Sequence, residues 1–230
     1  MHLLILRSYL VDGNAYFYTA VDISRRLEYL NSSRTIVVGI GYPPGKRVYD
    51  FRRGPDLTPW APEYDMPLNK EGKPRTDISF GEADEFLSWI ESDVVPHVEG
   101  TLFSARDATS VRRALFGHSY GGIFTLNTLF TKPSLFDTYI AASPITWWNK
   151  DYLVNELEPR FRDRGERLAS PVSLILARCE RVCSVASSQP SPVRTLASGL
   201  LQRSSASSGR QPQTLHQIVS CHSCCRPMQV

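Results

Sequence analysis

Two periodicities alternate along the chain as far as about residue 177. Short apolar runs, rich in β-branched residues and bounded by turn residues, are separated by segments whose apolar positions recur every three or four residues. The first run, Ser8-Tyr9-Leu10-Val11, reads as a strand closed by the turn Asp12-Gly13-Asn14. Residues 15–30 have helical spacing, with Phe17, Val21, Ile23 and Leu27 apolar. Thr35-Ile36-Val37-Val38-Gly39-Ile40 reads as a buried parallel strand. Residues 42–80 are rich in proline, glycine and charge, and a loop of that length in a compact domain is usually functional or mobile. Gly81-Glu82-Ala83-Asp84-Glu85 opens a helix carrying Phe86, Leu87, Ile90 and Val94 on one face, with Pro96-His97 as its end. A strand then leads through residues 113–116, a helix follows from Ile123, and a further strand over 136–142 stops at Ser143-Pro144. A helix over 151–167 buries Leu153, Leu157 and Phe161, and residues 171–176 form the last strand. Strands alternating with helices in this way predict an α/β fold on a largely parallel sheet.

Beyond this point the composition changes. From Arg162 onward there is no Phe, Trp or Tyr, and beyond Glu180 there is no acidic residue; Ser, Arg, Gln, Pro and Cys take over. Such a segment lacks the apolar surface needed to offset its ordering entropy. The chain therefore divides into an α/β body over 1–178 and a low-complexity tail over 179–230, expected to be disordered or to read from an aberrant frame. All five cysteines (Cys179, Cys183, Cys221, Cys224 and Cys225) fall at or beyond this boundary, which argues against a disulfide framework. Cys221-His222-Ser223-Cys224-Cys225 is too crowded to supply a tetrahedral zinc site alone, and no metal is expected. The net charge of +3 is small and no basic stripe stands out, so nucleic acid is not an expected partner. No apolar run reaches the roughly 18 residues of a membrane span, and Arg7 interrupts the apolar start. A soluble, cytoplasmic protein is the expectation.

Candidate chemistry concentrates in Leu115-Phe116-Gly117-His118-Ser119-Tyr120-Gly121-Gly122. A strand ending in Gly-x-Ser-x-Gly and passing straight into a helix is the context of a nucleophile elbow. Gly117 and Gly121 leave room on either side of the serine, and Gly122 lets the new helix approach the sheet. The turn exposes the Ser119 hydroxyl and directs the Tyr120 backbone N–H toward a developing oxyanion. This assigns the fold as an α/β-hydrolase.

With the elbow in place, several segments together resemble the esterase family of α/β hydrolases. They are Leu10-Val11-Asp12-Gly13-Asn14-Ala15-Tyr16-Phe17, Val37-Val38-Gly39-Ile40-Gly41-Tyr42-Pro43, Arg52-Arg53 with Asp56-Leu57-Thr58-Pro59, the elbow itself, and Phe136-Asp137-Thr138-Tyr139-Ile140-Ala141-Ala142-Ser143-Pro144 followed by Trp147-Trp148. Within that family the pattern is most similar to siderophore hydrolases, which cut ester-linked iron chelators. The resemblance spans roughly residues 9–180. It implies strands before the Asp-Gly-Asn turn and a histidine loop after the last strand that are not recognisable here, so the sheet is expected to be truncated at both ends.

Serine ester hydrolysis needs a nucleophile, a base, an acid that orients the base, and oxyanion donors. Ser119 is the nucleophile, with Tyr120 as one donor and the N–H of Gly13 or Asn14 as the other. In this fold the acid and then the histidine follow the serine in the chain. That order points to Glu180 as acid, with a solvated surface carboxylate as the alternative, and leaves His216 and His222 as histidines within the low-complexity tail. His118, next to the nucleophile, is expected to pack or to support the site from behind the residues that meet substrate. The loop pair Arg52-Arg53, with Arg53 as the binding candidate, could orient a carboxylate or an anionic chelator, a solvated loop charge or surface ion pair being the alternative. Trp147 and Trp148, beyond a strand's C-terminal end, are candidates for contacting substrate. The expected activity is a siderophore-esterase-like serine carboxylic-ester hydrolase working through an acyl-enzyme on Ser119. It needs no cofactor, and its partner is a small-molecule ester such as a ferric siderophore. The alternatives are a catalytically silent hydrolase that only binds, or another esterase, thioesterase or acyltransferase of the same superfamily.

Overall fold

The computed structural model describes residues 5–31, 34–43, 45, 47–102, 111–164, 173–179 and 218–221. Six strands form one sheet, with every neighbouring pair parallel: β1 (Ile5–Leu10), β2 (Arg34–Gly39), β3 (Val111–His118), β4 (Thr138–Ala142), β5 (Ser173–Cys179) and β6 (Ile218–Cys221). Their spatial order is β2-β1-β3-β4-β5-β6. The chain leaves β1 through helix α1 (Gly13–Asn31) to reach β2 on one flank, and returns to β3 on the other. The order reverses between β1 and β3, and open α/β sheets bind ligands outside the strand ends at such a switch point.

The helices that follow are α2 (Arg53–Leu57), α3 (Ala83–Trp89), α4 (Val95–Leu102), α5 (Tyr120–Thr131), α6 (Trp148–Tyr152) and α7 (Glu158–Asp163). Helix α5 is buried on every side over ten residues, Gly121 through Phe130. Its apolar residues join Tyr9, Leu115, Phe136 and Tyr139 in the core. The hydroxyls of Thr125 and Thr128 donate to carbonyls four residues back, which lets polar side chains sit in that core without loss of hydrogen bonding.

The structure departs from expectation in four places. The helix begun at α3 does not end at Pro96-His97: a π turn over Ile90–Val94 carries it into α4. A second π turn, Leu153–Leu157, precedes α7 and Pro159 in the same way. Proline lacks the N–H for the normal ladder and clashes with the carbonyl four residues back, and widening the preceding turn accommodates both problems without breaking the helix. Strand β2 is a half-exposed edge rather than a buried interior strand, and Ile23 and Leu27 on α1 are exposed. A β-branched run does not by itself distinguish a central strand from an edge. The expected loop over 42–80 contains α2, and Pro55, Asp56, Leu57, Thr58 and Ala61 are buried. Lastly, Ile218–Cys221, within the tail expected to lack structure, adds β6 alongside β5 in register Leu176↔Ile218. An open strand edge is a template for a short β-branched segment such as Ile218-Val219. The rest of the tail lies outside the described residues.

Candidate active site

The elbow is built by steric exclusion. Ser119 has φ 59° and ψ −113°, a region that non-glycine residues rarely occupy. Its N–H donates to the Ala142 carbonyl at 3.0 Å, and its own carbonyl accepts from the Ile123 N–H at 3.1 Å. A methyl group on Gly117 would lie 2.0 Å from the Gly121 carbonyl oxygen. One on Gly121 would lie 2.8 Å from Val11, and one on Gly122 2.9 Å from Pro144. Backbone approaches closely at Gly117 and Gly122, and the Val11 side chain at Gly121, so none of the three has room for a methyl group. The Ser119 side chain has no hydrogen-bond partner among the described residues. Tyr120 opens α5, so its N–H has no intrahelical acceptor.

The turn after β1 lies across the switch point from Ser119. Asp12 adopts a positive φ of 54°, and its carbonyl accepts from the N–H groups of Ala15 and Tyr16 at 2.9 and 3.3 Å. The Gly13 N–H donates to the Ile40 carbonyl at 2.8 Å, continuing the pairing of the two strand ends, so it is committed and cannot serve an oxyanion. This corrects one of the two donor expectations and leaves Asn14. The Asn14 side chain brackets the Tyr42 peptide, accepting from its N–H at 2.7 Å and donating to its carbonyl at 3.0 Å. A methyl group on Gly41 would lie 2.6 Å from the Asn14 side-chain oxygen and 3.3 Å from its backbone nitrogen. Glycine at 41 thus lets the Asn14 side chain close on the Tyr42 peptide.

Arg53 is held on all sides. Its Nε and Nη2 donate to the two oxygens of buried Asp12 at 3.0 and 2.8 Å, and its side chain is 15% exposed. The rings of Tyr49 and Tyr120 lie 4.6 and 5.1 Å from the guanidinium carbon, within range of cation–π attraction. Only Nη1 is left without a partner among the described residues. Arg52 instead faces solvent and pairs with Asp56 at 2.7 Å. Tyr16 places its hydroxyl 2.7 Å from His118 Nδ1 and 2.6 Å from the Tyr49 hydroxyl. Burial, and secondarily the Arg53 charge, lower the His118 pKa, which favours a neutral imidazole. Burial raises the Tyr16 hydroxyl far above its ordinary range, with the Tyr49 hydrogen bond adding to the effect.

The two tryptophans divide. Trp148 is buried, at 8% exposure, among Phe80 and Tyr64 with ring centroids 5.6 and 6.1 Å away, while Trp147 is 66% exposed. Phe80 in turn lies 6.3 Å from Tyr120, so this aromatic cluster borders the elbow. Beyond β4 the backbone again leaves the usual regions: Ser143, Asn149, Lys150 and Asp151 all have positive φ. The Asn149 side chain straps this turn to the preceding loop, donating to the Glu63 carbonyl at 2.9 Å and accepting from the Asp65 N–H at 2.7 Å. Among the described residues no group of three or more His, Cys, Asp or Glu is arranged to hold a metal ion. No described helix is long and apolar enough to cross a membrane. Glu180, His216 and His222 lie outside the described residues. The structure thus brings Ser119, Tyr120, Asn14 and Arg53 to one rim. The roles of Asp12, Tyr16, Tyr49 and Gly41 were not read from sequence, because their partners are distant in the chain.

Known proteins resemble this chain in sequence and fold. The Esterase family, described as "Putative esterase", matches residues 8–214, beyond the boundary expected at 178. A siderophore enterobactin esterase of Emericella nidulans is 48% identical over 150 residues, covering 64% of this chain and 48% of that protein. The ferri-bacillibactin esterase BesA of Bacillus subtilis is 32% identical over 176 residues, covering 75% and 58%. The solved siderophore hydrolase EstA of Aspergillus nidulans superposes with a TM-score of 0.70 at 39% identity, over 87% of this chain and 67% of that one. The chain spans about half the length of the first curated relatives it matches. With an elbow built this way on a parallel sheet and a family match over most of its length, the chain belongs to the esterase family and has the α/β-hydrolase fold.

Proposed function

We propose that this chain is a serine carboxylic-ester hydrolase acting on siderophore-type esters through an acyl-enzyme on Ser119. The observation that carries the reading is the elbow: a serine at φ 59° between three glycines that tolerate no side chain, at the switch point of a parallel sheet. The names of the relatives, siderophore enterobactin esterase and siderophore hydrolase among them, support the substrate class. In the proposed reaction the Ser119 oxygen attacks the ester carbonyl and its proton passes to a base. The tetrahedral oxyanion accepts from the Tyr120 and Asn14 N–H groups, the alcohol departs with a proton, and water then releases the acid. The free Arg53 Nη1 would meet an oxygen of the substrate, exposed Trp147 would cover its aromatic or chelating portion, and buried Trp148 would hold that wall in place. The reaction needs a histidine base after the serine in chain order and an acid to orient it. His216, His222 and Glu180, which hold those places in the chain, lie outside the described residues, and the reading assigns the base to neither histidine. The hydrogen bond that engages His118 Nδ1 with Tyr16, and the burial that disfavours its charged form, argue against it in that role.

One observation favours the second reading, a silent hydrolase that binds without turnover: among the described residues nothing hydrogen-bonds the Ser119 hydroxyl. Labelling with a fluorophosphonate, together with turnover of an activated ester and a tri-ester siderophore, separates the two. Labelling and turnover in the parent, both lost by about 10⁶-fold in turnover for Ser119→Ala, support the hydrolase. An unlabelled but folded parent that still binds the siderophore supports the silent binder.

A further inference from the structure

Five residues from separate parts of the chain are linked in a line of contacts that starts beside Ser119. His118 precedes the nucleophile at the end of β3, Tyr16 lies on α1, Tyr49 on the surface segment before α2, Arg53 on α2, and Asp12 at the end of β1. Each link is a close contact: His118 Nδ1 to the Tyr16 hydroxyl at 2.7 Å, Tyr16 to the Tyr49 hydroxyl at 2.6 Å, the Tyr49 ring 4.6 Å from the Arg53 guanidinium carbon, and Arg53 bidentate to Asp12. A methyl group on Gly121 would lie 3.5 Å from the Asp12 carboxylate, so the line of contacts ends next to the elbow beside which it starts. We infer that His118, Tyr16 and Tyr49 are positioning residues for the serine pocket: a hydrogen-bonded chain that docks segment 47–51 and fixes the Arg53–Asp12 pair shaping the oxyanion turn. The inference deepens the ester-hydrolase reading and rests on it.

Three observations take the chain beyond ordinary packing. Asp12 sits at a φ of 54°, a left-handed conformation that aspartate adopts more readily than most residues, and the bidentate Arg53 pair fixes its carboxylate there. Arg53 keeps its orientation only while its faces are covered, and Tyr49, which covers one face, belongs to an exposed segment. The Tyr16 hydroxyl is the hydrogen bond that ties Tyr49 back to the fold. His118 serves either tautomer: a neutral Nδ1 accepts from the Tyr16 O–H while Tyr49 donates to Tyr16, or an Nδ1–H donates and the chain runs the other way. A single directional chain thus reaches from the residue beside the nucleophile to the outer face of Arg53.

Tyr16→Phe removes both hydrogen bonds and keeps the ring that packs edge-on against Phe116 and His118. The expected result is a fall in kcat for an activated ester of about fivefold to tenfold, the scale of one neutral hydrogen bond. KM should stay within about twofold, the fluorophosphonate labelling rate should fall by the same factor as kcat, and tryptic cleavage at exposed Arg47 should quicken. Tyr49→Phe, which retains the ring over Arg53, should lose less than Tyr49→Ala, and His118→Gln, which retains an acceptor, less than His118→Ala. Unchanged kcat, labelling and cleavage in folded Tyr16→Phe would overturn the inference, as would equal losses in each conservative and truncating pair. Absence of labelling in the parent would overturn the hydrolase reading instead, and tryptic cleavage at Arg47 would then decide whether the chain holds the segment.

Discussion

The two ends of strands β1 and β3 both carry buried charge, yet they are built differently. At the starting ends, Arg7 and Arg113 are register partners on adjacent strands, a placement that would repel. One carboxylate bridges them: Glu99 of α4 accepts from Arg7 at 2.8 Å and from Arg113 at 2.6 and 2.8 Å. The Arg113 N–H also donates to Asp137 at 2.8 Å. At the finishing ends, the Asp12–Arg53 pair is bracketed by aromatic rings, crowded glycines and strained backbone. Every positive-φ non-glycine residue among those described (Asp12, Ser119, Ser143, Asn149, Lys150 and Asp151) lies beyond the C-terminal end of β1, β3 or β4. A buried ion pair therefore does not by itself mark a working site. What separates the two ends is conformational strain concentrated on one rim, held there by neighbours that leave no slack.

Substitutions at matched positions should expose that difference. The largest effect is expected at the strained rim: Gly117→Ala would press a methyl group within 2.0 Å of a backbone carbonyl that cannot withdraw without dismantling the elbow. A loss of stability above about 4 kcal/mol, read as absence of soluble folded protein or a collapsed denaturation midpoint, is the expected outcome. A stable, active Gly117→Ala protein would mean the elbow is not built as described.

Glu99→Gln at the opposite end should cost about 3 kcal/mol, because it removes the carboxylate charge that two neighbouring arginines, one of them buried, share. Turnover per folded molecule should be unchanged, the reverse of what is expected for Tyr16→Phe. The effect also has a pH signature. Burial pushes the Glu99 carboxyl upward, but hydrogen bonds and charge from Arg113 and Arg7 outweigh it and hold the group below its usual range. A carboxylate depressed on folding stabilises above its unfolded pKa, and that contribution disappears as pH falls through the folded value. The gap in melting temperature between the parent and Glu99→Gln should therefore be full at neutral pH and close below about pH 4.

The smallest effect is a gain. Gly100 lies within α4, and a methyl group there would meet nothing within 4 Å. Gly100→Ala should raise stability by about 0.5–1 kcal/mol, by limiting the unfolded chain and improving helix propensity, and should leave turnover untouched. Two glycine-to-alanine changes in one chain would then differ in sign, according to which end of the sheet they occupy.

The legibility of the fold in the sequence followed the same division. The elbow could be read because its requirement is local: glycines at fixed offsets between a strand and a helix. The alternation of strands and helices, and hence the parallel sheet, was legible for the same reason. The half-exposed setting of β2 was not, since the run 35–40 carries no mark of what lies beside it. Pro96 misled because a π turn repairs what proline usually breaks. Within the site, Ser119 and Tyr120 were accessible to motif reasoning, whereas the committed Gly13 N–H depends on Ile40, and the Arg53–Asp12 pairing joins residues 41 positions apart. No local pattern encodes such partnerships; they arise from topology.

That topology has a consequence for how the molecule is made. β1 is flanked by β2 and β3, and the hydrogen bond from Tyr16 to His118 closes a loop of 102 residues. Parallel pairing across so long a separation must meet its loop-closure entropy before any contact rewards it, which places this chain among slow-folding topologies. During synthesis α1 and β2 can assemble on β1 early, but the inner edge of β1 stays open until β3 has left the ribosome. The candidate pocket thus cannot form until β3 joins β1, and the open edge of β1 is the surface most in need of protection from association in the interval.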